Sequence, residues 1–193
     1  LPVCPPTFSR ERCWPLIVFL HGYVPSISVL DPWLLPEEIC DIAGANGAML
    51  LIPYGRRNTD FQGVGEVDVF ASLQEVKDLY PVDEDRVYLS GCSMGGMGVW
   101  NIALRHPGGF AAATPLCGHT DMFKWWGWSR EATPPWKRWL IEWDNAVDQA
   151  LNLHGQPFLA QHGARDSLVP VEQSLLMVQA GEQMATPIGF HAW

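Results

Sequence analysis

A serine in a glycine-flanked turn is the strongest chemical signal in the sequence. The pattern Gly91-x-Ser93-x-Gly95 follows an apolar run at residues 87–89 and precedes a small-residue segment that can form a helix. A strand, a tight turn and a helix in this order are typical of a nucleophilic serine, because the glycines let strand and helix approach closely. The alternative is a glycine-rich packing turn with an ordinary serine. The context favours Ser93 as a catalytic nucleophile.

A serine hydroxyl is a poor nucleophile at neutral pH unless a histidine accepts its proton and a carboxylate orients that histidine. Asp166 follows an apolar segment and precedes a helical pattern, so it is the predicted orienting acid; a turn or helix-cap aspartate is the alternative. His191 follows Asp166 at the end of a short extended segment and is the predicted base among six histidines. The predicted catalytic triad is therefore Ser93, Asp166 and His191.

Two backbone N–H groups must stabilise the negative charge that develops on the attacked carbonyl oxygen. Met94 is predicted to supply one of them, because it follows Ser93 at the start of a helix. The loop after the first buried strand contains His21 and Gly22, and its Tyr23 is predicted to supply the second N–H. An alternative role for Tyr23 is an aromatic wall of the pocket, and the two roles are compatible.

The elements that must position these groups alternate between strands and helices along the chain. Continuous apolar segments predict strands buried in a parallel sheet, and 3.6-residue periodicity predicts the helices between them. Strands are predicted at residues 16–20, 48–52, 87–90, 111–116, 157–161 and 187–190, and helices at 36–45, 66–80, 95–106 and 169–184. This order predicts an α/β fold with a mostly parallel central sheet and helices on both faces. Tyr23, Ser93 and Asp166 fall at the carboxyl ends of strands, where ligands bind in such folds.

Composition limits the classes of function. The chain has 193 residues, 48% of them hydrophobic and 17% charged, which predicts one globular domain over residues 1–193. A formal net charge of -9 argues against nucleic acid as a partner. No apolar run approaches the roughly 20 residues of a membrane span. No Cys/His cluster has metal-ligand spacing, so we expect no metal and no cofactor.

Five cysteines cannot all pair; a Cys4–Cys13 bridge is possible, and Cys92 and Cys117 are predicted to be buried thiols.

A tryptophan-rich insert is predicted at about residues 119–150. Six of the ten tryptophans lie between Trp125 and Trp143. Those from Trp136 onwards have helical spacing, which is compatible with an amphipathic helix packed on the core. Trp125 and Trp126 lack that spacing, and we expect them to form an aromatic cap that binds an apolar or aromatic acyl group. His119 is predicted to line the same cleft.

Four segments in this order resemble the α/β-hydrolase superfamily, and more closely its polyhydroxybutyrate-depolymerase, feruloyl-esterase and prolyl-oligopeptidase-like esterase branch. They are residues 15–22, 65–69, 85–96 and 162–170. The resemblance implies an α/β-hydrolase fold and a serine carboxylesterase that acts on a small-molecule ester, with Ser93, Asp166 and His191 as its triad. The sequence also differs from the usual pattern of this branch. Antiparallel strands before the first motif, a longer last strand and a closing helix are missing, which predicts a fold trimmed at both ends.

Two other functions are compatible with the same residues. A prolyl-oligopeptidase-like serine peptidase would use the same triad, although such enzymes usually carry a large gating domain. A binding module that kept the fold and lost turnover is the non-enzymatic alternative. The presence of serine, aspartate and histidine in the expected chain order favours an enzyme.

Overall fold

The computed structural model describes residues 2–26 and 37–193. Its strands are β1 Trp14–Leu20, β2 Met49–Leu51, β3 Val82–Cys92, β4 Ala112–Leu116, β5 Leu159–His162 and β6 Gly189–Ala192. Its helices are α1 Glu37–Ala45, α2 Val64–Leu79, α3 Met94–Arg105, α4 Met122–Trp126, α5 Pro135–Trp143 and α6 Glu172–Gln183, and a 3₁₀ segment covers Ala146–Leu153. The predicted α/β fold is confirmed. The predicted first helix is α1, and Pro36, its first predicted residue, lies outside the described residues.

The strands form one parallel sheet in the order β2-β1-β3-β4-β5-β6. Because side chains alternate between the two faces of a strand, β1 divides its apolar residues between two clusters. Leu16 and Val18 join the main core, which contains residues of α2, α3 and α6, whereas Phe19 joins a smaller cluster with residues of α1. Helices therefore lie on both faces, as predicted.

The main core rests on α3, the helix that follows Ser93. Trp100 is fully buried in this helix and stacks on Phe158, with ring centroids 5.2 Å apart and planes at 18°. Burying a side chain of this size contributes about 3 kcal/mol or more to the stability of the fold. The start of α3 is therefore fixed to the sheet by its own packing, and this fixes the position of Ser93.

Three details differ from the predictions. β3 begins at Val82, five residues before the predicted strand at 87–90, and a register irregularity between β1 and β3 lies near its start. The amphipathic helix α5 exists, but Trp136 and Trp139 are 68% and 60% exposed, because none of the described elements covers this face. Cys4 and Cys13 are free thiols. Within the described ranges, no helix is long and apolar enough to cross a membrane.

Candidate active site

Ser93 lies in a strained turn between β3 and α3. Its backbone has φ 57° and ψ −116°, a conformation that non-glycine residues rarely adopt. The Ser93 N–H donates to the carbonyl of Leu116 at 2.9 Å, and the Ser93 carbonyl accepts from the Met97 N–H at 3.0 Å. Such a conformation costs on the order of 1–3 kcal/mol and is typical of functional sites. The half-buried Ser93 side chain thus stands at the carboxyl end of β3.

The two glycines around Ser93 are required by backbone contacts. A Cβ atom on Gly95 would lie 2.0 Å from the carbonyl oxygen of Leu20, at the end of β1. A Cβ atom on Gly91 would lie 2.7 Å from the carbonyl oxygen of Gly95 and 2.8 Å from the Leu20 Cβ. The predicted reason for the glycines, close approach of strand and helix, is therefore confirmed.

Two backbone N–H groups flank Ser93. Met94 is the first residue of α3, so its N–H has no acceptor within the helix. A Cβ atom on Gly22 would lie 3.8 Å from the Ser93 Cβ, which places the Gly22–Tyr23 backbone beside the serine. Across residues 2–26 and 37–193, the Tyr23 N–H makes no hydrogen bond. The role of Tyr23 and Met94 as the oxyanion hole stays a prediction, and the structure places both next to Ser93.

The Tyr23 side chain is 65% exposed, so it does not form a buried wall of the pocket. The loop itself is held by two residues. The buried His21 ring lies with Nδ1 2.8 Å from the Gly22 carbonyl and Nε2 3.1 Å from the Tyr54 carbonyl. Asn58 accepts from the Val24 N–H at 3.0 Å and donates to the Val24 carbonyl at 2.9 Å. No local sequence signal indicated Asn58, because its partner lies 34 positions away.

We expect Asn58→Ala to lower kcat about tenfold and to change KM little, because losing both hydrogen bonds to Val24 loosens the loop that carries the Tyr23 N–H. Tenfold corresponds to about 1.4 kcal/mol of transition-state stabilisation. Steady-state kinetics of the purified variant give the two constants separately. Asn46→Ala is the matched control, since the exposed Asn46, which directly follows α1, donates its side-chain amide to the Ile42 carbonyl four residues earlier. An unchanged kcat for Asn58→Ala would contradict the positioning role.

Asp166 follows β5 at the same edge of the sheet as Ser93. Its Oδ1 accepts from the N–H groups of Leu168 at 2.8 Å and Val169 at 3.0 Å, so it caps the turn, as the alternative interpretation proposed. Its Oδ2 lies 3.7 Å from Nε2 of the fully buried His162, which donates to the Val169 carbonyl at 2.8 Å. His162 Nδ1 then accepts from the Ser174 hydroxyl at 2.8 Å. These contacts connect the turn to β5 and α6, and capping uses only one of the two carboxylate oxygens.

The structure does not bring His191 to Ser93. His191 is an exposed residue within β6, and it pairs with Gln161 of β5. Gln161 pairs with Leu116 of β4, and Leu116 pairs with Cys92. Three steps of about 4.8 Å separate Cys92 from His191, or roughly 14 Å between Cα atoms, beyond the reach of a serine–histidine hydrogen bond.

Within the described parts of the chain, the His191 ring makes no hydrogen bond or ion pair; its ring contact is with Trp193, at 6.2 Å between centroids. Its role as the base stays a prediction, and that role requires β6 to move. We expect His191→Ala to lower kcat/KM by less than about threefold, as for a surface residue outside the reaction. His154→Ala, at another exposed histidine, is the matched control. A loss as large as that of Ser93→Ala would show that His191 reaches the serine in a rearranged state.

The predicted cap residues lie beside the Asp166 turn. His119 is buried and stacks on Trp125, with centroids 4.2 Å apart and planes at 13°. Burial lowers the pKa of His119 to about 4, so the imidazole is neutral at pH 7. The indole N–H of Trp125 donates to the Leu168 carbonyl at 3.3 Å, and Trp126 stacks on Trp125 at 6.1 Å. The structure thus brings His119, Trp125 and Trp126 together next to the turn that holds Asp166.

A cavity of about 250 Å³ extends from Trp126 towards Met97, one helical turn after Ser93. Its lining combines apolar side chains such as Met122 and Leu140 with the charged side chains of Asp60, Lys137 and Asp144. Arg130 connects several parts of the insert around this cavity. Its guanidinium pairs with Asp121, which caps α4, and with Glu142 of α5 and Asp148 of the 3₁₀ segment. It also stacks over the Phe123 ring. Arg130 was not a sequence-predicted site residue, since these partners converge only in the folded insert.

Comparisons with known proteins identify the family of this chain. A sequence profile described as "Prolyl oligopeptidase family" matches residues 58–188, a range that contains Ser93 and Asp166. "Uncharacterized peptidase YtmA" of Bacillus subtilis (strain 168) is 23% identical over 89% of this chain and 70% of the relative. "Dipeptidyl-peptidase 5" of Porphyromonas gingivalis is 23% identical over 96% of this chain and 30% of the relative.

Solved structures share the fold. Acylaminoacyl peptidase of Pyrococcus horikoshii superposes with a TM-score of 0.80 at 18% identity, over 98% of this chain and 34% of that one. A thermostable esterase superposes with a TM-score of 0.66 at 22% identity, over 100% of this chain and 49% of that one. The chain therefore spans a third to a half of these two proteins. With the profile matching more than half of its residues, the chain belongs to the prolyl oligopeptidase family of serine hydrolases.

Proposed function

We propose that this chain carries the catalytic site of a serine peptidase that cleaves amide bonds of small peptides through an acyl-enzyme on Ser93. The observation that carries the proposal is the strained Ser93 turn, held between β3 and α3 at the sheet edge where the Asp166 turn also lies. Strain of this kind persists only where the surrounding structure maintains it, which favours an active site over a packing turn.

The proposed reaction uses few groups. The Ser93 hydroxyl attacks the substrate carbonyl carbon and transfers its proton to an imidazole oriented by the Asp166 carboxylate. The N–H groups of Met94 and Tyr23 stabilise the charge that develops on the carbonyl oxygen. The amine leaves with the proton, and water then releases the acyl group from Ser93. The sequence predicts His191 for this imidazole; in the described arrangement β6 holds it out of reach of Ser93, which is why His191→Ala is expected to change kcat/KM little.

An amide substrate is supported by the family and by the names of its relatives. The matching profile and both curated relatives are named as peptidases or peptidase families, and the solved acylaminoacyl peptidase shares the fold. The carboxylesterase predicted from the sequence is supported more weakly, by the solved esterase of the same fold. The same nucleophile serves both reactions, and the difference lies in the substrate groups that the cleft accepts.

The test joins covalent labelling with a substrate panel. A fluorophosphonate probe followed by peptide mapping is expected to place the adduct on Ser93. Alanyl and N-acetyl-alanyl p-nitroanilides are expected to be hydrolysed, with p-nitrophenyl acetate as the ester comparison. Ester turnover without detectable anilide turnover would replace the peptidase with the esterase. No labelling and no turnover would reject a hydrolase and favour the binding module.

The second candidate is a carboxylesterase for aromatic acyl esters, and one observation favours it. Trp125 and Trp126 form a stacked, 37% and 44% exposed aromatic surface beside the Asp166 turn. Aromatic side chains bury large apolar areas and stack on aromatic ligands, each pair contributing about 0.5–1.5 kcal/mol beyond burial.

For this candidate, the double variant Trp125→Ala/Trp126→Ala is expected to raise KM for a hydroxycinnamate ester about tenfold. KM for an acetate ester is expected to rise less than about twofold, because only the aromatic acyl group loses its stacking partner. Trp136→Ala, at an exposed tryptophan of α5, is the matched control. Equal effects on the two esters would contradict an aromatic acyl site.

A further inference from the structure

Two thiols meet directly beneath Ser93. Cys92 is the last residue of β3 and immediately precedes Ser93, and Cys117 is the first residue after β4. Cys92 pairs with Leu116 across the two strands, and the Cys92 and Cys117 side chains are close enough for each to change the acidity of the other. Both side chains are half-buried, so small solutes can approach them.

The backbone explains why the thiols meet. In a continued strand the Cys117 side chain would point to the opposite face from Leu116. Instead Cys117 has φ 48°, a left-handed conformation that costs about 1 kcal/mol for a residue with a Cβ atom, and its N–H is anchored on the Gln161 carbonyl at 2.9 Å. Adjacent strands lie about 4.8 Å apart and successive residues rise about 3.3 Å, so Cys117, the residue after the partner of Cys92, lies roughly 6 Å from Cys92, within the roughly 4.4–6.8 Å between Cα atoms that a disulfide needs.

The two thiols differ in acidity. The hydrogen bond from Cys92, assisted by a backbone hydrogen bond at Gly163, lowers the pKa of Cys117 to about 7, although burial opposes this change. The same hydrogen bond and burial raise the pKa of Cys92 above its usual value. Cys117 is therefore partly a thiolate at neutral pH, beside a neutral thiol that can resolve an oxidised sulfur. A reactive, accessible cysteine next to a second cysteine is typical of redox-sensitive sites.

We propose that Cys92 and Cys117 form an oxidisable dithiol whose conversion to a disulfide inactivates Ser93. The Cys117 thiolate attacks a hydroperoxide, the O–O bond breaks, and Cys117 becomes a sulfenic acid while the peroxide is reduced. The Cys92 sulfur then attacks the Cys117 sulfur, the S–O bond breaks, and the thiol proton leaves with the hydroxide as water. The effect on turnover rests on the proposed function of Ser93; the disulfide itself does not.

Inactivation follows from the contacts of the pair. Cys92 shares a peptide bond with Ser93, and the Ser93 N–H is bound to Leu116, next to Cys117. The Asp166 carboxylate is close enough to raise the pKa of both thiols. A disulfide imposes its own Cβ–Cβ distance of about 3.8 Å and its own dihedral angle. A shift of about 1 Å in a catalytic group can lower the rate about a hundredfold.

The test treats the reduced full chain with hydrogen peroxide and then with dithiothreitol. The expected result is a loss of two hydrogen atoms in the intact mass, a cross-linked peptide pair joining Cys92 to Cys117, and a fall of at least about tenfold in hydrolysis that dithiothreitol reverses. Cys13→Ser, at an exposed cysteine, is expected to behave as the unmodified chain.

Three outcomes overturn the inference. In the first, peroxide leaves both thiols free, and in the second it oxidises Cys117 to a sulfonic acid without forming a bridge. The third is a bridge that forms without any loss of turnover, in an enzyme that is active when reduced. Cys117→Ala must also abolish the bridge, and this is read by mass and needs no activity. A bridge that forms in a chain whose Ser93 never reacts with a fluorophosphonate would support the dithiol and reject the proposed function instead.

Discussion

Ser93→Ala is expected to lower kcat/KM for every hydrolysed substrate by at least about a thousandfold and to abolish fluorophosphonate labelling. Removing the nucleophile leaves only the binding and oxyanion contributions, which is why losses of this size accompany the loss of a triad serine. Initial rates with p-nitrophenyl and p-nitroanilide substrates measure the effect, and thermal unfolding shows that the variant is folded.

Ser90→Ala is the matched control for this prediction. Ser90 lies three residues earlier in β3, and its hydroxyl donates to the Thr114 carbonyl at 3.1 Å, so it can contribute to stability without serving the reaction. We expect it to keep most of the activity. If Ser93→Ala kept turnover within about tenfold of the unmodified chain, Ser93 would not be the nucleophile, and the strained turn would not serve catalysis as proposed.

Gly95→Ala is expected to destabilise the protein by about 3 kcal/mol or more and to remove activity together with it. The new Cβ atom would lie 2.0 Å from the Leu20 carbonyl oxygen and 2.5 Å from its carbon, and backbone cannot turn away as a flexible side chain can. Overpacking usually costs about 1–3 kcal/mol, and contacts this short lie at the upper end or beyond. Urea unfolding followed by tryptophan fluorescence gives the change in free energy of unfolding.

Gly44→Ala provides the comparison within a helix. Its added Cβ atom would lie 3.3 Å from Pro6 Cδ, a mild contact, and alanine is favoured over glycine in a helix by about 1 kcal/mol. The net change is therefore expected to stay within about 1 kcal/mol of zero. Equal stabilities for Gly95→Ala and Gly44→Ala would mean that α3 does not approach the end of β1 as closely as the structure has it.

Features that depend on neighbouring residues could be predicted from the amino-acid sequence alone. The Ser93 turn, its two glycines and the alternation of strands and helices were predictable, because strand and helix periodicity and turn sterics act over only a few residues. The turn position of Asp166 was also predictable from its local context, because its capping contacts span only two and three positions. The same local signal predicted α5 as an amphipathic helix.

Which distant residues lie in contact depends on how the whole chain folds. His191 had the right place in the chain order, but the register of β3, β4, β5 and β6 puts it about three strands from Cys92. Asn58 holds the Tyr23 loop through the Val24 backbone, which lies 34 positions away in the sequence. The tryptophans of α5 are exposed because no described element packs over them. Cys92 and Cys117 meet through strand register and one left-handed residue. Register and loop closure depend on the packing of the whole chain, which local periodicity does not encode.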